Sequence, residues 1–239
     1  MCITNIYIVK QYNQFIPMAN KSTTIYFFRH CDEDKNDPTT QNFTCCSQTG
    51  CTRITKLVDY FKKLGVEPDI LISPIKGNNC QVPYKSQKSI QTMALLSKSF
   101  DVPIIAKFCE HETKSQAADL LKLSGSGKII FIAWQHSLLV EMINNVLNFK
   151  NPAKLSDYSG KRNDLIFRVT LSANESKLEV LLQNLMPNDK TTLPKIYQVF
   201  QQDNSIIFKS DNNSYAYPLN QINQLLRSYQ DITTDCVCQ

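Results

Sequence analysis

Two histidines in this chain follow short apolar runs in the same way. His30 comes after residues 24–28 (TIYFF) with Arg29 between, and His136 comes after residues 128–134 (KIIFIAW) with Gln135 between. A third apolar run, residues 69–73 (DILIS), ends in Ser73-Pro74 and a polar loop over residues 75–85. Ligands in parallel α/β sheets sit outside the carboxyl ends of the strands, so chemistry is expected at these run ends. Two imidazoles opening on one crevice, one of them beside an arginine, suit an anionic small molecule.

Other constellations are weaker. Cys45, Cys46 and Cys51 cluster and Cys236 and Cys238 lie close together, but no CxxC pair is followed at zinc-finger distance by another or by HxxxH. His30, His111 and His136 are far apart in sequence, and no metal site is predicted. Cys31 is not read as a phosphatase nucleophile, because CDEDKND supplies acidic residues where a phosphate-cradling loop needs donors. Residues 124–127 (SGSG) are followed by no GK[ST] and are read as a turn. Nine cysteines is an odd count in a long chain, and residues 1–22 lack the charged start, apolar middle and cleavage site of an export signal. Reduced thiols in a cytoplasmic protein are therefore expected.

The elements that must position these residues follow from hydrophobic spacing. Residues 24–28, 69–73 and 128–134 have the β-branched, aromatic and apolar character of strands in a central sheet, and residues 102–108 read as an extended segment. Residues 50–64 carry Ile54, Leu57, Val58 and Phe61 at helical spacing and stop at Gly65. Further helices are expected over 86–100, 115–123 and 137–147. Strands alternating with helices argue for an α/β layered fold on a largely parallel sheet. Residues 165–171 and 178–182 read as a hairpin at the sheet edge, 205–210 as a strand and 219–229 as a helix. The expected organisation is an extension over 1–22, one domain over 23–189, and a C-terminal appendage over 190–239 packed on that domain.

At 239 residues, with 42% hydrophobic and 20% charged residues, the chain can bury a core and is too apolar to be disordered. It has no run of about 18 apolar residues to span a membrane. The net charge of +5 is a mild excess without the Lys/Arg block of a nucleic-acid footprint.

Five segments together resemble the histidine phosphatase superfamily, with its phosphoglycerate-mutase-like fold. They are TTIYFFRHCDED with its RH motif, SQTGCTRITKLVDYF with a TxxGxxR helix start, PDILISP, KSIQTMALLSKSF with xxQT after a basic residue, and IIFIAWQH. The likeness spans residues 23–189 and is strongest to the branch whose motifs read RHxEKP and WEH. It implies a three-layer α/β sandwich with a mostly parallel central sheet flanked by helices.

The resemblance also implies roles. His30 would attack phosphorus and form a phosphohistidine that water then hydrolyses. Arg29 would hold the phosphoryl oxygens, and His136 would donate to the charge of the transition state. The acid that protonates the leaving oxygen would be Glu112, because QAADLL after it aligns with the branch's helix, with Glu110 as runner-up. Lys88 stands where the family has a second phosphate-clamping Arg, a point charge in place of a bidentate fork. Cys31 stands where Gly or Ala is usual, and Arg53 is read as structural.

The function this implies is hydrolysis of a phosphomonoester or phosphoanhydride on a phosphorylated small molecule or phosphoprotein, with no cofactor or metal and neither nucleic acid nor membrane as partner. A mutase fits less well, for want of further substrate-holding basic residues. The alternative is a weak or inactive pseudo-phosphatase that binds a phosphorylated ligand or partner, favoured by Lys88 and Cys31. A protein- or nucleic-acid-binding module using the basic excess is a third reading. Oligomeric state is not legible.

Overall fold

Side chains alternate across a strand, and in β1 (Thr23–Arg29) both sets are apolar. Ile25 and Phe27 face one layer of helices and Tyr26 and Phe28 the other, all buried. The same alternation holds in β2 (Ile70–Ile72) and β4 (Ile129–Trp134), so these strands lie in the middle of a covered sheet. The computed structural model describes residues 21–33, 45–75, 80, 86–147, 160–172, 175–193, 205–209, 230–231 and 238.

Between the strands run α1 (Gln48–Lys63), α2 (Lys88–Phe100), α3 (Thr113–Lys122) and α4 (His136–Leu147), with β3 (Ile104–Ala106) between α2 and α3. Then come β5 (Leu165–Leu171), β6 (Glu175–Leu182), β7 (Ser205–Lys209) and β8 (Gln230–Asp231). Among the described residues eight strands form one sheet in the order β7-β6-β5-β1-β4-β2-β3-β8. The four central strands β1, β4, β2 and β3 are parallel, and β5, β6, β7 and β8 extend the sheet antiparallel on its two sides.

Helices cover both faces. Leu57, Val58 and Phe61 of α1 pack with Met93 and Leu96 of α2 on one face. On the other, Ala117 and Leu120 of α3 pack with Leu139, Met142 and Ile143 of α4. The molecule is thus the three-layer α/β sandwich with helices on both sides of a central sheet that the sequence led one to expect. Segments 205–209 and 230–231, from the region read as an appendage, pair onto opposite edges of this sheet.

The layering creates a crevice. β1 and β4 are parallel neighbours, with Arg29 level with Trp134, yet α1 after β1 and α4 after β4 lie on opposite faces. The chain therefore parts at the carboxyl ends of these two strands, which is where open α/β sheets take their ligands.

Several expectations change in detail. The β5–β6 hairpin forms, but β5 pairs with β1 and β7 covers β6, so the hairpin lies inside the sheet. Only Ile104–Ala106 of the segment 102–108 is strand. Residues 124–127 make the turn into β4, with Ser126 bridged to Lys21. The helix expected over 219–229 and the extension over 1–20 lie outside the described residues. No helix among the described residues is long and apolar enough to cross a membrane.

The expectation of reduced thiols is corrected. Cys31 is bonded to Cys46, Cys51 to Cys238 and Cys80 to Cys109, and Cys45 is disulfide-bonded as well. Spacing concealed this, because pairing depends on which loops the fold brings together.

Candidate active site

The RH segment leaves β1 and turns sharply against the start of α1. The Asp32 carbonyl accepts from the Ser47 amide at 3.0 Å and its hydroxyl at 3.1 Å, while Ser47 Oγ caps α1 by accepting from Gly50 N–H. A Cβ on residue 50 would lie 2.6 Å from the Asp32 carbonyl oxygen, so this close approach requires glycine. The QT pair on α2 holds the same loop. Thr92 Oγ1 accepts from the Cys31 amide at 2.9 Å, and Gln91 Oε1 accepts from the Cys46 amide at 2.6 Å. Arg53 is buried between Asp32 and Asp189, at 2.7 Å from each, which is the structural part read for it.

His30 is thereby fixed at the end of β1, 5% exposed. Its Nδ1 lies 2.9 Å from the Cys31 carbonyl oxygen, which can only accept, so Nδ1 carries the proton and Nε2 keeps its lone pair. Burial, Lys88 and Arg29 lower its pKa to about 3, so the ring is neutral at physiological pH.

His136 opens α4 beside β4 and has the opposite tautomer. Gln135 Oε1 accepts from the Leu138 amide at 3.0 Å and the Ser137 hydroxyl at 2.7 Å, which fixes the orientation of the carboxamide. The amide nitrogen of Gln135 then faces Nδ1 of His136 at 3.2 Å and donates to it, leaving the proton of the neutral ring on Nε2.

Gly160 joins the two strand ends. Its carbonyl accepts from the Arg29 guanidinium, and a Cβ on it would stand 3.1 Å from Cε1 and Nε2 of His136. Nothing in the sequence marked Gly160, which comes from a distant loop.

Lys88, the first residue of α2, is buried with its ammonium bonded to the Glu33 carboxylate. The hydrogen bond and charge of Lys88, with the charge of Arg29, hold that carboxyl below its ordinary range against an opposing desolvation effect. Glu33 was not singled out by the sequence, although it belongs to the acidic CDED run.

The two candidate acids differ. Glu112 Oε2 accepts from the Cys109 amide at 2.7 Å, so its carboxylate closes its own turn at the start of α3. The Glu110 side chain makes no such bond among the described residues, and its carbonyl accepts from Trp134 Nε1 at 2.7 Å, which ties this loop to the end of β4. Burial raises the Glu110 carboxyl to about 7, with Lys88 as the counteracting charge. Lys88 thus lies within electrostatic reach of both His30 and Glu110, Arg29 lies within reach of His30, and Gly160 links His136 to Arg29. Glu112, the first candidate for the acid, has its carboxylate bonded to the Cys109 amide.

Disulfides brace the rim. Cys31–Cys46 closes the loop behind His30, its two sulfurs 3.7 and 3.9 Å from the Lys88 carbonyl oxygen. Cys80–Cys109 ties the loop after β2 to the residue before Glu110. Ser73 is fully buried at the end of β2, and His111 is exposed.

No family model and no curated protein sequence matches the chain. Among solved structures it is similar to the protein histidine phosphatase SixA complexed with tungstate, at 12% identity and TM-score 0.43 over 62% of this chain and 96% of that one. It is also similar to phosphoglycerate mutase from Plasmodium falciparum, at 15% and 0.43 over 73% and 99%. A third is mycobacterial glucosyl-3-phosphoglycerate phosphatase, at 11% and 0.41 over 63% and 91%.

Proposed function

We propose that the chain is a phosphatase that works through a phosphohistidine on His30. The observation that supports this best is the pair of imidazoles in opposite tautomers at one crevice, a free Nε2 lone pair on His30 and an Nε2–H on His136, with Arg29 and Lys88 beside the first. Nε2 of His30 attacks phosphorus, forming the N–P bond as the P–O bond to the leaving group breaks. Arg29, Lys88 and the Nε2–H of His136 carry the charge on the phosphoryl oxygens. Glu110 gives its proton to the leaving oxygen and takes one from the water that then cleaves the N–P bond. A carboxyl raised to about 7 can hold that proton near neutral pH, which favours Glu110 over Glu112.

The substrate on this reading is a phosphorylated small molecule or phosphoprotein carrying a phosphomonoester or phosphoanhydride. The test is hydrolysis of an aryl phosphate by the intact protein and by His30→Ala. Activity should vanish in the variant, and quenched turnover should leave an acid-labile, base-stable label on His30. Undiminished turnover in His30→Ala would end the mechanism.

The pseudo-phosphatase reading keeps one specific support, the Glu33 carboxylate seated on Lys88. It expects tight phosphate binding with no turnover in either form.

The bonded cysteines favour an oxidising compartment over the cytoplasm, because disulfides persist where thiols are not kept reduced. Titration of free thiols in denatured, unreduced protein from its native source tests this.

A further inference from the structure

Both cations of the proposed phosphoryl site already have an acceptor. The Arg29 guanidinium bonds to the Gly160 carbonyl, and the Lys88 ammonium bonds to the Glu33 carboxylate. The second contact is the unusual one. A full negative charge sits three residues after the nucleophile, in a pocket meant for an anion, and its side chain is 28% exposed while that of Lys88 is 7% exposed. Glu33 is therefore the more solvent-exposed member of the pair, with the ammonium buried behind it. Its carboxyl also feels the charge of Arg29, so it is not an ion pair at the margin of the site.

We propose that Glu33 is a built-in competitor for the phosphoryl subsite, holding Lys88 in the free protein and leaving it when a phosphoryl group binds, so that it sets which anions the site accepts. This rests on the phosphate-site reading above. A ligand carboxylate that reaches Lys88 gains only what Glu33 already provides. A phosphoryl dianion displaces Glu33 because its further oxygens also engage Arg29 and the Nε2–H of His136. The protein's own carboxylate thus discriminates against monoanions and lowers affinity for phosphate, since apparent affinity falls by the fraction of molecules in which Lys88 is free. The acidic residue also repels a bound dianion if it stays nearby, so it must swing outward, and its partial exposure leaves room for that.

The experiment is calorimetric titration of the full chain with inorganic phosphate, and separately with acetate, for the parent, Glu33→Gln and Glu33→Ala, each checked for an unchanged thermal transition. Both variants should bind phosphate at least about tenfold more tightly, equivalent to about 1.4 kcal/mol, and should acquire measurable acetate binding that the parent lacks. Glu33→Asp, whose carboxylate is shorter by one methylene, should lie between. If phosphate binds the parent and binds Glu33→Gln and Glu33→Ala equally or more weakly, Glu33 orients Lys88 and does not compete with the ligand. That outcome overturns the inference and leaves the phosphatase reading standing. If neither the parent nor any Glu33 variant binds millimolar phosphate, the phosphate-site reading fails and the inference fails with it.

Discussion

The imidazoles of His30 and His136 carry their protons on opposite nitrogens, and each is fixed by a neighbour that can play only one part. The Cys31 carbonyl must accept, so His30 Nδ1 donates; the Gln135 amide nitrogen must donate, so His136 Nδ1 accepts. One ring thereby presents a lone pair at Nε2 and the other an N–H.

This division predicts the pH profile of kcat/KM. His30 must be neutral to attack, and its pKa of about 3 keeps it so as pH falls well past the ordinary imidazole range. Glu110 must be protonated to serve a poor leaving group, and at about 7 it loses that proton as pH rises. After correction for the substrate's own ionisation near about 6, the rate should be flat from about pH 4 to 6.5 and fall about tenfold per unit above 7. A rise through pH 6.5 would show instead that His30 titrates as an exposed histidine.

Glu110→Gln should slow hydrolysis of an alkyl phosphate by about 10²- to 10⁴-fold and an activated aryl phosphate far less. Glu112→Gln should show no such dependence on the leaving group. It should cost about 1 kcal/mol of stability, read by denaturant titration, from the weakened bond to the Cys109 amide. The reverse pattern would restore Glu112 as the acid.

Lys88→Arg by itself should change the aryl-phosphate rate little, because a fork that grips phosphoryl oxygens grips the Glu33 carboxylate as well. With Glu33→Gln added, the same substitution should raise kcat/KM about tenfold over Glu33→Gln alone. A gain of equal size in both backgrounds would mean that Glu33 and residue 88 act independently.

Gly160→Ala should displace His136, since the added methyl would meet Cε1 and Nε2 at 3.1 Å. The expected result is a fall in kcat of about 10- to 100-fold, with the His136 ring resonances shifted in the NMR spectrum. Unchanged kcat and resonances would show that the 160 turn gives way freely.

Replacing Cys80 and Cys109 together by Ser should lower stability by about 2–4 kcal/mol in denaturant titration. It should also move the alkaline limb of the pH profile downward, because a looser loop lets water reach Glu110. Lost stability with an unmoved limb would mean that Trp134 alone keeps Glu110 buried.

The strands, helices and strand-end residues were legible because each rests on local pattern. Continuous apolar runs give β1 and β4 to within a residue or two, and Arg29, His30 and His136 follow directly from where those strands stop. What could not be read depends on the paths of loops. Glu110 and Glu112 are two residues apart with the same charge, and only the turn from Cys109 decides which carboxylate is occupied. Gly160 meets His136, and Glu33 meets Lys88, across separations that carry no periodic signal. The cysteine pairs were hidden for the same reason.

The bond between Cys51 and Cys238 joins residues 187 positions apart. During synthesis the sheet core, complete by β5, can assemble while Cys51 still has no partner, because Cys238 has yet to leave the ribosome. Sealing this link thus comes after that core can form. A nascent chain with its other cysteines nearby is open to mispairing until then, so the yield of mature protein should depend on an isomerase that reshuffles early bonds as much as on an oxidant that makes them.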